Sequence, residues 1–228
     1  MKTSFLLFIV ALLPVVLSAL IYLAERTKTV RKIPYAARQI ITGILFGGLA
    51  IIGTEFGIKT DGAIINARDA SPLCAGLLFG APAGIIAGVI GGVERWLAAY
   101  WGAGEYTRLA CSVSTVLAGV FAAVLRKYMF DNKKPKWYYC LATAAITEVI
   151  HMLMIFLTNM TDAKTAFSFV RACSLPMIAV NSLAVMLAGL LLTVLSGAER
   201  KNVRHELKKI SQSFQRFLLI CVMAGFLM

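Results

Sequence analysis

The sequence predicts an all-α integral membrane protein with six apolar helical blocks and the start of a further helix. Three observations predict this class. Of the 228 residues, 59% are hydrophobic and only 15% are charged, which is more apolar surface than a soluble domain of this size could bury. The apolar residues fall into blocks close to the ~20 residues that a helix needs to cross a bilayer. Basic residues cluster between the blocks, as they do in the cytoplasmic loops of membrane proteins.

All the apolar blocks except the last are close to the length of one membrane crossing. The blocks lie at about 4–24, 39–57, 72–93, 106–126, 137–158 and 171–196, and a seventh opens at about 217. The first resembles a signal peptide, but it is too long and continues into basic residues instead of a cleavage site, which predicts an uncleaved anchor helix. The seventh has about 12 residues, too few to span a bilayer. It is either interfacial or the start of a truncated transmembrane helix, and we favour truncation.

The composition argues against several other classes. A net charge of +12 would suggest a nucleic-acid partner in a soluble protein, but here the charges lie between apolar blocks, so no nucleic acid is predicted. The five cysteines are scattered through the blocks, which predicts neither a disulfide framework nor a zinc motif. The sequence has no nucleophile elbow, phosphate loop or catalytic dyad. We therefore predict no catalytic residue and no cofactor in this chain, and whether the full-length protein is an enzyme stays open.

The basic residues do not fit six simple crossings. Sixteen of the 23 lysines and arginines form three clusters, at 26–38, 126–136 and 200–216. If all three are cytoplasmic, an even number of crossings must separate successive clusters. Two blocks separate the second cluster from the third, but three separate the first from the second. One block must therefore enter and leave on the same side, or one cluster is misplaced.

A glycine occupies every fourth position in the third block. These glycines are Gly76, Gly80, Gly84, Gly88 and Gly92. Glycines at this spacing remove the side chains from one face of a helix, so that another helix can pack closely. The sequence Gly-Ala-Pro at 80–82 interrupts the block, because proline removes a backbone donor and disfavours a straight helix.

Two interpretations of the third block stay open. In the first, half-helices at about 72–80 and 83–94 form a re-entrant hairpin that enters from outside, which the charge count favours. In the second, the block is a continuous kinked helix that spans the membrane. The hairpin would leave Arg68 and Arg95 on the same outer side, whereas the spanning helix would separate them by ~30 Å of hydrocarbon.

Polar residues bracket the glycine run. Asn66 and Arg68 precede it, and Arg95 follows it. Two guanidinium groups that face one cavity at low dielectric would clamp a carboxylate or a phosphate. The alternative is that each arginine reaches lipid headgroups or pairs with its neighbour, Asp69 or Glu94.

Two small polar residues share a face near the start of the fourth block. Cys111 and Ser114 lie three positions apart, so they are neighbours on a helix. On the wall of an anion pocket, the thiol and the hydroxyl could bind a carbonyl or hydroxyl group of a ligand. Helix packing by small residues explains them equally well, and Ser112 and Thr115 lie just as close.

Ionisable and amide side chains occur inside the later blocks. Glu148 and His151 lie three apart at membrane depth, where charge is costly, so they are candidates for a pocket wall or a proton-linked element. The alternative is that they satisfy each other and the neighbouring backbone. No further histidine lies near, so we predict no metal site. Asn181 follows Pro176 and is a third pocket candidate, although a packing or gating role explains it as well.

These residues, in this order, resemble the LytS/YhcK-type five-transmembrane sensor domain. The resemblance rests on Asn66-x-Arg68, the run GLLFGAPAGIIAGVIGG that ends at Arg95, and the small-residue helix LACSVSTVLAGV. It continues with the Glu148-x-x-His151 pair and with LPMIAVNS at 175–182, and it covers about residues 5–197.

The resemblance implies a receptor of the bacterial inner membrane, fused to a cytoplasmic histidine kinase, diguanylate cyclase or related output domain in cis. It divides the chain into an anchor helix and basic loop at 1–30, a sensor domain at 31–197, and a basic linker with a further helix at 198–228. Members of the family are associated with sensing 2-oxo acids such as pyruvate, and others with control of the cell wall. The ligand site of the pyruvate-type members maps onto Arg68, Arg95, Cys111 and Ser114.

The expected function is therefore a multi-pass membrane sensor for a small anionic ligand, which we also expect to form a homodimer in the lipid bilayer. One alternative is a solute transporter, or the substrate-binding subunit of a vitamin-type transporter, to which the family is distantly similar. Another is a structural membrane module that dimerises through its glycines.

Overall fold

The computed structural model of the protein describes residues 2–60, 63–101 and 104–196. Its α-helices are α1 (Lys2–Ala24), α2 (Lys28–Arg31), α3 (Tyr35–Glu55), α4 (Ala70–Cys74), α5 (Ala81–Ala98), α6 (Arg108–Tyr128), α7 (Trp137–Thr158) and α8 (Ala163–Ser196). A π-helical turn at Ala75–Phe79 continues α4, and 3₁₀ turns lie at Ala99–Trp101, Glu105–Thr107 and Met160–Asp162. A short antiparallel hairpin pairs β1 (Ile58–Thr60) with β2 (Ala63–Ile65).

Five of the described helical segments are long and apolar enough to cross a membrane. They are Leu6–Ala24, Tyr35–Glu55, Glu105–Tyr128, Trp137–Thr158 and Met160–Ser196. The all-α membrane class is confirmed, with five spanning candidates instead of six because the third block is divided. The last helix begins at Ala163 rather than near residue 171, and the strand pair in the 58–71 connection was not expected. The seventh block and the third basic cluster lie outside the described residues.

The third block folds back on itself at Gly80. The π-helical turn ends at Phe79, and α5 begins at Ala81 with Pro82 in its first turn, where a missing backbone donor breaks no helical hydrogen bond. A Cβ atom added to Gly84 would lie 2.5 Å from the Cα of Gly76. This contact requires α5 to run back along the π-helical turn that continues α4. The fold-back of the hairpin interpretation is therefore confirmed, and the continuous kinked helix is wrong. Entry of the hairpin from outside stays a prediction.

The side chain of Gln39 bonds to backbone groups on both sides of the break. Its Nε2 donates to the carbonyl of Phe79 at 3.2 Å, and its Oε1 accepts from the amide of Ala83 at 3.3 Å. Arg126, near the end of α6, donates to the carbonyl of Leu77. Backbone groups without partners are costly at membrane depth, so these contacts make the break tolerable there.

The hairpin begins and finishes at the same end of the helical bundle. Gly53, near the end of α3, packs against the entry to the hairpin, since an added Cβ would lie 2.8 Å from the Cα of Arg68. Arg95, near the end of α5, donates to the carbonyl of Gly104, just before α6, at 2.7 Å. The fold therefore brings Arg68 and Arg95 to one side.

The first two basic clusters lie together at the opposite end. Arg38 forms an ion pair with Glu25 at 3.9 Å. The ammonium group of Lys134 lies 4.3 Å from the ring centroid of Tyr22 and 5.6 Å from that of Phe79, beside the break. Because the hairpin returns to its starting side, only α3 and α6 separate the two clusters as spanning helices. This even number satisfies the charge rule.

The glycines of α5 bring it into close contact with α6. A Cβ atom on Gly88 would lie 3.0 Å from the carbonyl oxygen of Thr115, and one on Gly92 would lie 2.8 Å from that of Ser112. Gly80 differs from the rest of the ladder, because it lies at the break and not in a helix. Since this face of α5 is already packed within the chain, it is not available for the dimer contact that a purely structural module would need.

Replacing Gly84 with alanine tests this packing. The added methyl group meets backbone atoms of Gly76, which cannot move aside as a flexible side chain can, so we expect Gly84→Ala to cost about 1–3 kcal/mol. Gly48→Ala, in α3, is the matched control, because an added Cβ meets no atom within 4 Å there. The measurement is the unfolding midpoint in detergent. Equal midpoints for the two variants would contradict the packing.

Candidate functional site

The segment between β2 and α4 turns inward and is held by side-chain hydrogen bonds. Asn66 donates to the carbonyl of Ile64 at 3.0 Å and accepts from the amide of Arg68 at 3.2 Å. This local pattern is typical of asparagine in tight turns. Asn181, on α8, donates to the carbonyl of Asn66 at 3.1 Å and accepts from the amide of Ala70 at 2.9 Å. Asn66 and Asn181 therefore position the backbone on either side of Arg68.

The carboxylate of Asp69 is the centre of the site. Its Oδ1 accepts from Arg68 Nε at 3.2 Å and from the hydroxyl of Thr115 at 2.7 Å. Its Oδ2 lies 2.8 Å from His151 Nδ1. None of these four side chains is accessible to solvent. One carboxylate thus joins the entry to the hairpin to α6 through Thr115 and to α7 through His151.

Cys111 lies next to this cluster. Its Sγ is 3.3 Å from Nε2 of His151, on the opposite side of the ring from Asp69. Its carbonyl accepts from Arg68 Nη2 at 3.4 Å. Arg95 also interacts electrostatically with the Cys111 side chain. The two arginines that bracket the glycine run therefore both reach Cys111.

A loop glycine completes the surroundings of Arg95. Arg95 Nη2 donates to the carbonyl of Gly104 and to the hydroxyl of Thr107, at 2.7 and 3.2 Å. Gly104 has a φ of +56°, in the left-handed region, and an added Cβ would lie 2.8 Å from Arg95 Nη2. The connection after α5 thus needs glycine at this position to accept the guanidinium group.

Some buried polar atoms of the site have no partner among the described residues. They are Arg68 Nη1, the hydroxyl of Ser114, and both carboxylate oxygens of Glu148, which accept no hydrogen bond. Glu148 Oε2 is nevertheless 3.7 Å from His151 Nδ1, close enough for an ion pair. Ser114 and His151 line a groove of about 210 Å³ between α6 and α7 whose other walls are mainly apolar.

Asp69, Glu148 and His151 also form a possible set of metal ligands. One ligand atom from each lies within 4.8 Å of the others. The sequence offered too few ligands near Glu148 and His151, and the fold adds Asp69 from the hairpin. Two carboxylates and one imidazole leave an open position on a tetrahedral metal. The guanidinium of Arg68 already bonds to Asp69, however, and would repel a cation. The absence of a metal site stays a prediction.

The structure brings together most of the residues that the sequence singled out, and it adds others. Arg68, Arg95, Cys111 and His151 lie in one cluster, whereas Asn66 and Asn181 bond to backbone groups at its edge. Sequence reasoning treated Asp69 only as a local partner of Arg68, and Thr115 only as a neighbour of Ser114. The one available signal for Thr115 was its position four residues after Cys111, on the same helical face.

Comparison with known proteins identifies the family. A family model described as the 5TMR of 5TMR-LYT matches residues 21–194. The chain belongs to this family. No solved structure matches it.

Curated relatives of this 5TMR-LYT chain are bacterial sensor proteins. The sensor histidine kinase YpdA of Escherichia coli is 25% identical over 164 residues, 72% of this chain and 28% of the relative. The sensor histidine kinase BtsS of Escherichia coli is 27% identical over 147 residues, 63% of this chain and 25% of the relative. The sensor protein LytS of Bacillus anthracis is 31% identical over 147 residues, 62% of this chain and 23% of the relative.

The 5TMR-LYT chain spans about a quarter of the length of the curated relatives it matches. The family match and the five apolar helices establish a multi-pass domain of the bacterial cytoplasmic membrane with a membrane sensor role. The resemblance to the LytS-type sensor domain is confirmed.

Thr115→Val tests the central hydrogen-bond cluster. Valine keeps the shape but removes one hydrogen-bond partner from each of the buried side chains of Asp69 and Arg68, so we expect a loss of about 1–3 kcal/mol in the free energy of unfolding. Thr147→Val is the matched control: each threonine hydroxyl lies within hydrogen-bonding distance of the carbonyl four residues earlier, but in the part of the chain that the structure describes the Thr147 hydroxyl makes no hydrogen bond to a charged group. Unfolding in detergent measures both variants. Equal losses of unfolding free energy in the two variants would show that the hydrogen bonds of Thr115 to Asp69 and Arg68 contribute no stability.

Proposed function

We propose that this chain is the sensor domain of a bacterial signalling receptor and that it binds a small carboxylate of the 2-oxo acid class, such as pyruvate. The ligand lies among Arg68, Arg95, Cys111 and Ser114, at the end of the bundle away from the basic clusters. One observation carries the proposal: two buried guanidinium groups from the two ends of one hairpin both lie at Cys111, Arg68 against its backbone carbonyl and Arg95 near enough to its side chain to interact electrostatically.

The polar atoms without partners support a ligand at this place. A buried donor without an acceptor costs about 1–3 kcal/mol, so Arg68 Nη1 and the Ser114 hydroxyl gain from a ligand that offers oxygen atoms. A carboxylate accepts from a guanidinium group in a charge-assisted, bidentate geometry, and a neighbouring carbonyl oxygen accepts from a hydroxyl. A 2-oxo acid carries both groups on adjacent carbon atoms.

The same contacts connect the site to the rest of the bundle. Asn181 of α8 holds the backbone on both sides of Arg68, so a ligand that moves Arg68 also acts on α8. The other end of the hairpin is held by Gln39 and Arg126, next to the basic clusters. A ligand shifts the equilibrium between two arrangements of these helices only if it binds the two with different affinities.

The signal continues from α8 through a linker at 198–228 to an output domain in cis. The relatives named as sensor histidine kinases favour a histidine kinase as that output, and a homodimer is the expected state of such a receptor. We assign residues 31–197 to the sensor domain in this proposal. A transporter would use the same pocket but would require alternating access, and accumulation of labelled ligand in vesicles distinguishes the two functions.

Binding of pyruvate to the purified protein, followed by calorimetry, tests the site. Arg68→Ala and Arg95→Ala each remove a charged donor worth about 1.5–3 kcal/mol, so we expect affinity to fall about 10- to 100-fold.

Arg108→Ala is the control for the loss of positive charge. Arg108 lies at the same end of the bundle, but its guanidinium packs on the rings of Trp96 and Tyr100, with its Cζ 4.1 and 4.2 Å from their centroids. We expect this variant to bind within about twofold of the wild type. Unchanged binding in both Arg68→Ala and Arg95→Ala would overturn the site.

A further inference from the structure

Three side chains of the site lie in the order of a nucleophile, a base and a carboxylate that orients the base. Asp69 Oδ2 lies 2.8 Å from His151 Nδ1, and His151 Nε2 lies 3.3 Å from Cys111 Sγ. The carboxylate comes from the hairpin, the thiol from α6 and the imidazole from α7. This arrangement is the one by which thiols are activated as nucleophiles.

The hydrogen-bond partners fix the direction of proton transfer. An ionised carboxylate only accepts hydrogen bonds, so Nδ1 of His151 carries the proton that Asp69 accepts. Nε2 then presents its lone pair to Cys111 and can take the thiol proton. Arg68 and Thr115 hold the other oxygen of Asp69, so the carboxylate cannot turn away from the imidazole. The resulting imidazolium lies between the carboxylate and the thiolate.

The other described cysteines lack this setting. Cys74 and Cys140 are fully buried in the main apolar core, and Cys173 lies in a second apolar cluster with Met152 and Met177. Among the described residues, Cys111 is the cysteine whose thiol contacts a histidine, whose backbone carbonyl accepts from Arg68 and whose side chain interacts electrostatically with Arg95. Unlike the others, it lies where the proposed ligand would bind.

We propose that Cys111 captures the 2-oxo acid as a reversible covalent adduct, an inference that rests on the proposed function. Cys111 Sγ forms a bond to the ketone carbon, and the carbonyl π electrons move to the ketone oxygen. His151 Nε2 passes the proton received from the thiol to that oxygen. The product is a hemithioketal, the imidazole is neutral again, and no oxidant, reductant or further reactant is needed.

The arginines and the serine have defined tasks in this step. Arg68 and Arg95 hold the carboxylate and set the distance from the thiol to the adjacent carbonyl carbon. The Ser114 hydroxyl, which has no partner among the described residues, is available to donate to the oxygen on which negative charge develops. Because the bond forms only to an electrophilic carbonyl, the covalent step makes the site selective for 2-oxo acids over other carboxylates of the same size.

Carbon-13 NMR of bound ligand tests the adduct, with pyruvate labelled at the ketone carbon. Oxamate is the matched ligand, since it has the size and charge of pyruvate but an amide carbonyl that resists addition. We expect the bound pyruvate carbon to move from the ketone to the tetrahedral range, and pyruvate to bind about tenfold or more tightly than oxamate. Both comparisons use the unmodified chain, so they do not depend on a variant that folds.

Variants then assign the step to its residues. Cys111→Ser and His151→Gln should lose the tetrahedral signal and bind the two acids equally, whereas Cys173→Ser should behave as the wild type. If pyruvate keeps its ketone resonance and binds no better than oxamate, the covalent step is wrong, and the proposed binding of the acid by Arg68 and Arg95 is unaffected. If neither acid binds, the proposed function and the adduct fail together.

Discussion

The buried carboxylate of Asp69 is the interaction on which the rest of the site depends. A carboxylate removed from water is stable only when its oxygens are fully hydrogen-bonded, and Asp69 finds donors on three separate parts of the chain. Arg68 precedes it directly, Thr115 lies on α6 and His151 lies on α7. Meeting this requirement fixes the entry to the hairpin against two spanning helices. The positions of Cys111 and of the Arg68 guanidinium follow from the same contacts.

Two obstacles to the hairpin are removed by the sequence. Glycines allow its helices to pack closely, and the side-chain amide of Gln39 bonds to backbone groups that the break leaves without helical partners. Glycines on α5 let its backbone approach α6 and the π-helical turn that follows α4 at distances that any Cβ would prevent. The amide of Gln39 bonds to Phe79 and Ala83, the backbone groups on either side of Gly80. The result is a segment with one end at the arginine site and the other beside the basic clusters. This geometry places one segment of the chain in contact with both ends of the bundle.

The sequence predicts much of the fold but less of the site. Block lengths, the charge count and the Gly-Ala-Pro interruption are local or additive signals, and they favour the hairpin, which would leave Arg68 and Arg95 on one side, without excluding a spanning helix. The bond between Asp69 and His151 joins residues 82 positions apart, and no pattern in a single sequence reports such a pair. Asp69 follows Arg68 immediately, so the sequence indicated it only as one possible partner of Arg68. The need for glycine at position 104 could not be predicted either, because it follows from a left-handed backbone and from the nearby guanidinium group of Arg95, which only the fold brings there.

A double-mutant cycle between Asp69 and His151 tests the central contact most directly. The free energy of unfolding in detergent is measured for Asp69→Asn, His151→Phe and the double variant. Residues in direct contact within one hydrogen-bond network couple by about 0.5–3 kcal/mol, so the double variant should be destabilised by clearly less than the sum of the single effects. The pair Asp69→Asn and Thr147→Val, which replaces another buried residue of α7, should be additive. Additivity for Asp69 and His151 as well, within about 0.5 kcal/mol, would contradict the account.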